Sequence, residues 1–229
     1  MTVATAMPSS EEWKQELGTE RSMKDGFLAS DPESPFIVGR VPFHALRYFA
    51  PNPKFVVRAT LERRPAPEEA YLRTNRDNQA VMRYIGDLAF SLEGEALRLR
   101  LYHAGEGVGT SVFVPFRDRT SGRESYGAGR YLTLELNASD DYEVDFNRAF
   151  NPYCAYTDDF ECPFPPAEND LPVAVRAGEM VWAEDRNPKS PSGAVLGRAR
   201  RTPSPSGPGR VAKPRSPGAT GGRKRRRSR

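Results

Sequence analysis

The sequence predicts an all-β fold, an antiparallel barrel or sandwich, with an N-terminal α-helix before it and a disordered basic tail after it. Three observations carry this reading. From residue 55 onward, short segments alternate apolar and polar residues with a period of two, which puts one face of each on a core. They follow one another without an intervening helical stretch, as in antiparallel sheets that curl or stack. From Arg186 onward there are 14 Lys and Arg but no Asp, Glu or aromatic residue. That composition buries too little apolar surface to offset a chain entropy of about 1–2 kcal/mol per residue.

The elements are justified in order. Residues 9–30 read as a helix: Ser10 suits the cap, Glu11 and Glu12 suit the positive end of the dipole, and Trp13, Leu17, Lys24, Phe27 and Leu28 fall near one stripe. The predicted strands are FVVRATL (55–61), AVMRYI (80–85), LAFSL (88–92), LRLRLY (97–102), SVFVPF (111–116), RYLTLEL (130–136), YEVDFN (142–147) and LPVAVR (171–176). Branched and aromatic residues fill them, and Gly, Asn or Asp punctuate most of the gaps between them. LAFSL–EGEA–LRLRLY reads as a hairpin with Leu88, Phe90, Leu92, Leu97, Leu99 and Leu101 on the core face. RYLTLEL–NASDD–YEVDFN reads as a second hairpin, with Asp145 and Asn147 on the face opposite Leu132, Leu134, Leu136, Val144 and Phe146. The expected organisation is a helical segment 1–34, a β domain 35–185 and a tail 186–229.

Charge divides the same way. The whole chain carries +4, yet residues 1–185 hold 20 basic and all 30 acidic side chains, so an acidic body precedes a basic tail. Non-specific nucleic-acid binding through residues 186–229 is one partner class this allows. The alternative is a translated extension without an evolved role. The N-terminus lacks the basic and apolar regions of a secretory signal, and no run approaches a membrane span. The expectation is a cytoplasmic protein, with no membrane partner and with reduced cysteines.

Special chemistry concentrates in residues 126–179, where regular alternation is lost and Cys, Asn, Pro and acidic residues gather. Backbone groups in such a segment need side chains or water as partners, so it is either a structural clip or the wall of a site. The candidate ligand-facing residues are Arg130, Asp145, Asn147, Asn151, Glu168 and Asn169. Arg130 suits a bidentate bridge to Glu124, to Asp145 or to a ligand anion. Asp145 and Asn147 suit either a ligand or the anchoring of the Pro-rich segment 151–169 through side chain–backbone bonds. Cys154 and Cys162 are candidates for packed thiols, a redox pair or a metal site; seven residues separate them, unlike the Cys-x(2–4)-Cys pairs of structural zinc. The glycines of YGAGR match no phosphate loop, and no G-x-S-x-G elbow is present. A small polar ligand or ion is the leading expectation. A carboxylate enzyme acting on an anionic small molecule, with Asp145 or Glu168 as base, is the alternative. The residues leave cofactor and metal open.

PFRDRTSGRESYGAGRYL (115–132), DFNRAFNPYCAY (145–156), CPFPPAEN (162–169), AGE (177–179) and, upstream, FHALRYFAPNPKFVVRATLE (43–62) resemble the prokaryotic domain of unknown function 1684. Ser125, Phe150 and Phe164 stand where that pattern usually has Thr, Tyr and Leu. The resemblance implies a domain boundary near Glu179 and brings no activity with it.

Overall fold

The structure, a computed structural model, describes residues 10–104 and 110–182. The expected tail, with its nucleic-acid reading, lies outside the described residues. Helix α1 (Ser10–Ser30) and a short α2 (Pro35–Val38) precede six strands: β1 (Val56–Arg73), β2 (Gln79–Leu92), β3 (Glu95–Ala104), β4 (Ser111–Phe116), β5 (Arg130–Glu135) and β6 (Asp141–Asp145). They form one antiparallel sheet in the order β5-β4-β3-β2-β1-β6, a nearly closed barrel. Short 3₁₀ turns at Phe146–Arg148, Tyr153–Ala155 and Ala167–Asn169 carry the chain back over it. The all-β reading with an N-terminal helix holds.

The expected β2–β3 hairpin forms, with Phe90 opposite Leu97 and Leu88 opposite Leu99. Glu93 and Gly94 turn it with positive φ at both positions, the twist that two-residue hairpins favour. Leu88, Leu99, Leu101, Val114, Phe116 and Phe146 lie fully inside the barrel. A second cluster outside the barrel gathers Leu28, Leu46, Tyr126 and Ala155 around Phe36, whose ring lies 4.9 Å from Tyr156 and 5.0 Å from Trp182.

Four strand expectations need correction. AVMRYI and LAFSL are one strand, β2, bent at Gly86 rather than broken. A Cβ at Gly86 would collide with the carbonyl of Glu62 across the ladder, so only glycine permits the crossing. β1 runs on to Arg73 through RRPAPEEAYLR, which did not read as strand. Pro65 and Pro67 lack N–H donors, and the ladder shifts register between Arg63 and Glu68 to skip them. β5 and β6 are not a paired hairpin: β6 pairs with β1, from Val56 opposite Asp145 to Thr60 opposite Asp141, which leaves β5 at the other end of the sheet order. Finally, LPVAVR is not a strand, although Leu171, Val173 and Val175 do point inward. Leu171 and Val173 bond the main chain of Arg117 and Arg119, and from Val175 onward side chains join in as partners.

Candidate functional site

Arg130 begins β5 and is wholly buried. Its Nη2 donates to Asp118 Oδ2 at 2.7 Å and to the Val175 carbonyl at 2.8 Å, while Nη1 donates to the carbonyls of Ala177 and Glu179. Asp118 Oδ1 accepts the Thr120 and Val175 amides. A guanidinium and a carboxylate thus take the place of a neighbouring strand along residues 175–179, which is why that alternating segment forms no ladder. Burial pulls the Arg130 pKa down and the Asp118 charge opposes it. Glu124 instead meets Arg176 at the surface. All terminal donors of Arg130 are engaged by the protein.

Asp145 and Asn147 join distant parts of the chain. Asp145 ends β6; Oδ1 accepts the backbone and side-chain N–H of Asn147, both at 2.8 Å. Oδ2 accepts the Trp13 indole at 2.8 Å and Arg148 at 2.9 Å. Asn147 exchanges two bonds with the backbone of Asn52, and Arg148 reaches on to Glu16 and Glu20. What Asp145 anchors is therefore α1 and its own turn, rather than the segment 151–169. That segment is held by the β1–β2 turn: Asn75 bonds Cys162 and Phe160, Arg76 bonds Asp158, and Phe164 N donates to Arg73 O.

Asn169 is also fully buried. Its Oδ1 accepts Arg100 N at 2.8 Å and its Nδ2 donates to Arg100 O at 3.0 Å and Pro115 O at 2.7 Å. β3 and β4 pair at Tyr102 and Phe113, and the Asn169 amide ties them again where Pro115 has no N–H to offer. Glu168 is exposed and pairs with Arg100 at 2.9 Å.

Asn151 belongs to a different cluster, centred on Glu179. The Glu179 carboxylate is 1% exposed. It accepts the Asn151 amide and the Tyr156 hydroxyl on Oε2, both at 2.8 Å, and Lys24 of α1 on Oε1. Its backbone bonds Ala149 and forms a bridge with Tyr48. Gly178, at φ +74°, makes this approach possible, because a Cβ there would meet Phe146 O at 2.8 Å. Around this carboxylate, Asp25 Oδ1, Tyr48 Oη and Asn151 Oδ1 are buried with no hydrogen-bond partner in the protein. Burial, followed by the nearby Glu179 charge, raises both the Asp25 and the Tyr48 pKa. Arg21 stacks 4.3 Å over the Tyr48 ring and Lys24 4.8 Å over Phe150. Sequence reasoning missed Lys24, Asp25 and Tyr48 as site residues. A signal existed: Trp13, Leu17, Arg21, Lys24 and Leu28 share one face of α1, so the buried stripe turns from apolar to charged halfway along.

Cys154 and Cys162 are both free, the first half-buried and the second buried. Cys162 Sγ accepts the Cys154 N–H at 3.4 Å, and the Tyr126 hydroxyl lies 3.8 Å from Cys154 Sγ. His103 is engaged elsewhere, with Ser111 O. Among the described residues no group of three His, Cys, Asp or Glu is arranged to hold a metal, and no helix is long and apolar enough to cross a membrane.

No curated protein matches this chain. A solved structure, by solution NMR, of an uncharacterised protein from Haloarcula marismortui is similar with 39% identity and a TM-score of 0.60, covering 75% of this chain and 95% of its own. The sequence profile of the protein family of unknown function DUF1684 matches residues 42–180, which span β1 to β6, Arg130, both cysteines and Glu179. The chain belongs to the DUF1684 family.

Proposed function

We propose that the protein binds a small polar ligand rich in hydrogen-bond donors at the cluster around Glu179, under α1. One observation carries this reading: three buried polar atoms on separate segments, Asp25 Oδ1, Tyr48 Oη and Asn151 Oδ1, lack protein partners around one desolvated carboxylate. Buried polar groups are hydrogen-bonded in more than roughly 90% of cases, and each orphan costs about 1–3 kcal/mol. Two of the three atoms only accept, and the Arg21 Nε donor beside Tyr48 is unpartnered as well, so the complementary ligand offers hydroxyl or amino groups together with an acceptor. Arg21 and Lys24 balance Asp25 and Glu179, which favours a ligand of little net charge. Of the residues expected from the sequence, Asn151 serves this site, Arg130, Asp145 and Asn147 hold segments around it, and Asn169 and Glu168 bond Arg100 of β3 instead.

The experiment is a backbone amide NMR titration with glycerol, erythritol and ethanolamine. Saturable shifts gathered at residues 21–25, 46–49 and 150–151, lost in Tyr48→Phe and Asn151→Ala, are the expected result. Long-lived water contacts at those residues with no saturable shift would mean that solvent alone fills the site.

A second reading, a carboxylate acid–base site, draws on the Asp25–Glu179 pair, two carboxyls in unlike environments with the pKa of Asp25 raised. It requires chemical conversion of a bound compound, with loss of turnover but not of binding in Asp25→Asn.

A further inference from the structure

Cys154 and Cys162 lie apart from the Glu179 cluster and are placed for chemistry of their own. They are the two cysteines of the chain. The Cys162 sulfur sits 3.4 Å from the main-chain nitrogen of Cys154, so rotation of the Cys154 side chain brings the sulfurs together. Both segments are fixed from outside. Asn75 accepts the Cys162 amide at 2.7 Å and donates its own amide to the Cys162 carbonyl, Pro163 bridges to Thr74, and the Tyr131 hydroxyl donates to Pro163 O at 2.6 Å. The connecting loop is closed by the Tyr153 and Phe160 rings, edge to face at 5.1 Å. Those two residues, with Phe27, Val38, Glu33 and Asp159, line an open groove of about 500 Å³ beside the pair.

The two sulfurs are unlike. Cys162 faces donors: the Cys154 thiol and the main-chain N–H groups of Cys154 and Tyr153. Led by the Cys154 thiol, they hold its pKa below the ordinary thiol range against the effect of burial. Cys154, the donor in this pair and itself desolvated, is pushed up. Cys162 is therefore the more readily ionised of the two sulfurs, as an attacking cysteine beside a resolving one requires.

We propose that Cys154 and Cys162 form a reversible dithiol–disulfide site that reduces a small hydroperoxide, with Cys162 attacking and Cys154 resolving. The Cys162 thiolate takes the terminal oxygen of the peroxide; the O–O bond breaks, and the leaving alkoxide or hydroxide picks up a proton. Cys162 is then a sulfenic acid. Cys154 loses its proton and attacks the Cys162 sulfur, expelling hydroxide that is protonated to water. Overall, two thiols and one hydroperoxide give one disulfide, one alcohol (or water) and one further water. A dithiol reductant restores the pair by exchange, itself becoming the disulfide. Cys162 retains only 7% exposure, so the oxidant is a compact one and hydrogen peroxide is the probe.

The test uses the full chain, reduced and freed of reductant. One equivalent of hydrogen peroxide is expected to remove the mass of two hydrogens and to yield a Cys154–Cys162 cross-linked peptide that dithiothreitol reverses. In Cys154→Ser, dimedone should trap a sulfenic acid at Cys162; in Cys162→Ser it should trap none at Cys154. If either variant fails to fold, dimedone present during wild-type oxidation still decides, because the adduct must fall on the Cys162 peptide. Recovery of two unmodified thiols, a covalent dimer in place of the internal cross-link, or an adduct on Cys154 would overturn the proposal.

Discussion

The inside of the barrel and the seam beneath α1 are equally buried but held together differently. The barrel is filled by aliphatic and aromatic side chains, any of which tolerates a neighbour of similar shape. The seam is a set of directed bonds: Trp13 to Asp145, Lys24 to Glu179, Arg130 to Asp118 and three carbonyls. In the barrel the loss from a substitution scales with volume. In the seam it depends on which partner is stranded. Regions of the first kind supply stability, and regions of the second kind hold defined polar groups in place while remaining sensitive to a single atom.

The sharpest way to break this contrast is Asp118→Ala. It strands a fully buried guanidinium and is expected to cost about 3–5 kcal/mol in urea unfolding; Asp118→Leu with Arg130→Met should not recover the loss, because it also leaves the carbonyls of Val175, Ala177 and Glu179 unpaired. A loss no larger than that of an exposed pair would show that water reaches Arg130. Next, Leu99→Ala should cost about 2–5 kcal/mol by leaving a cavity, with Leu99→Met costing under about 1.5 kcal/mol. At Asn169, shape and bonding separate: Asn169→Asp keeps the outline but replaces two donors by acceptors, and should cost about 1–3 kcal/mol. If Asn169→Asp matches wild type, the tie between β3 and β4 is not made by the amide.

Asp25→Asn gives the smallest effect and the opposite sign. Because its pKa is raised, the native state holds the Asp25 proton more tightly than the unfolded chain does. Its contribution is full below the ordinary aspartate pKa and declines as pH rises through the raised value. Asp25→Asn should therefore flatten the stability profile in that window. At pH 7 it should raise stability by less than about 1 kcal/mol, as expected for a partly exposed charge. The same substitution should weaken ligand binding at Glu179, since a group kept for a ligand is one the folded state does better without.

The contrast also explains what was legible in the sequence. The β2–β3 hairpin and its core face could be read because alternation is a local signal, although the strands pair through Leu92 and Glu95, closer to the turn than the EGEA link suggests. Residues 171–176 were misread because Leu, Val and Val alternate identically whether a strand or a mixture of loop backbone and the Arg130 and Asp118 side chains satisfies the backbone. The bend at Gly86 looked like a gap, since nothing nearby in sequence reveals the Glu62 carbonyl lying across it. Asp145 could be placed near a polar face, but its partner Trp13 is 132 residues away and gives no local sign. Tyr48 sits inside a motif that was noticed, yet its meaning depends on Asp25 and Glu179, which meet it only in the folded chain. Local chemistry is written in order along the sequence, and chemistry between distant segments is not.

The Arg130 clamp also bears on how the chain is made. The guanidinium is held by carbonyls up to 49 residues further along. At a synthesis rate of about 5–20 residues per second, the arginine exists for about 2–10 s before its last partner does. During that interval Arg130 has Asp118, made earlier, as its charge partner, but the carbonyls that complete the clamp are still missing. Full burial of Arg130 is thus expected to come late, once the residues that complete the family motif are available to pair it.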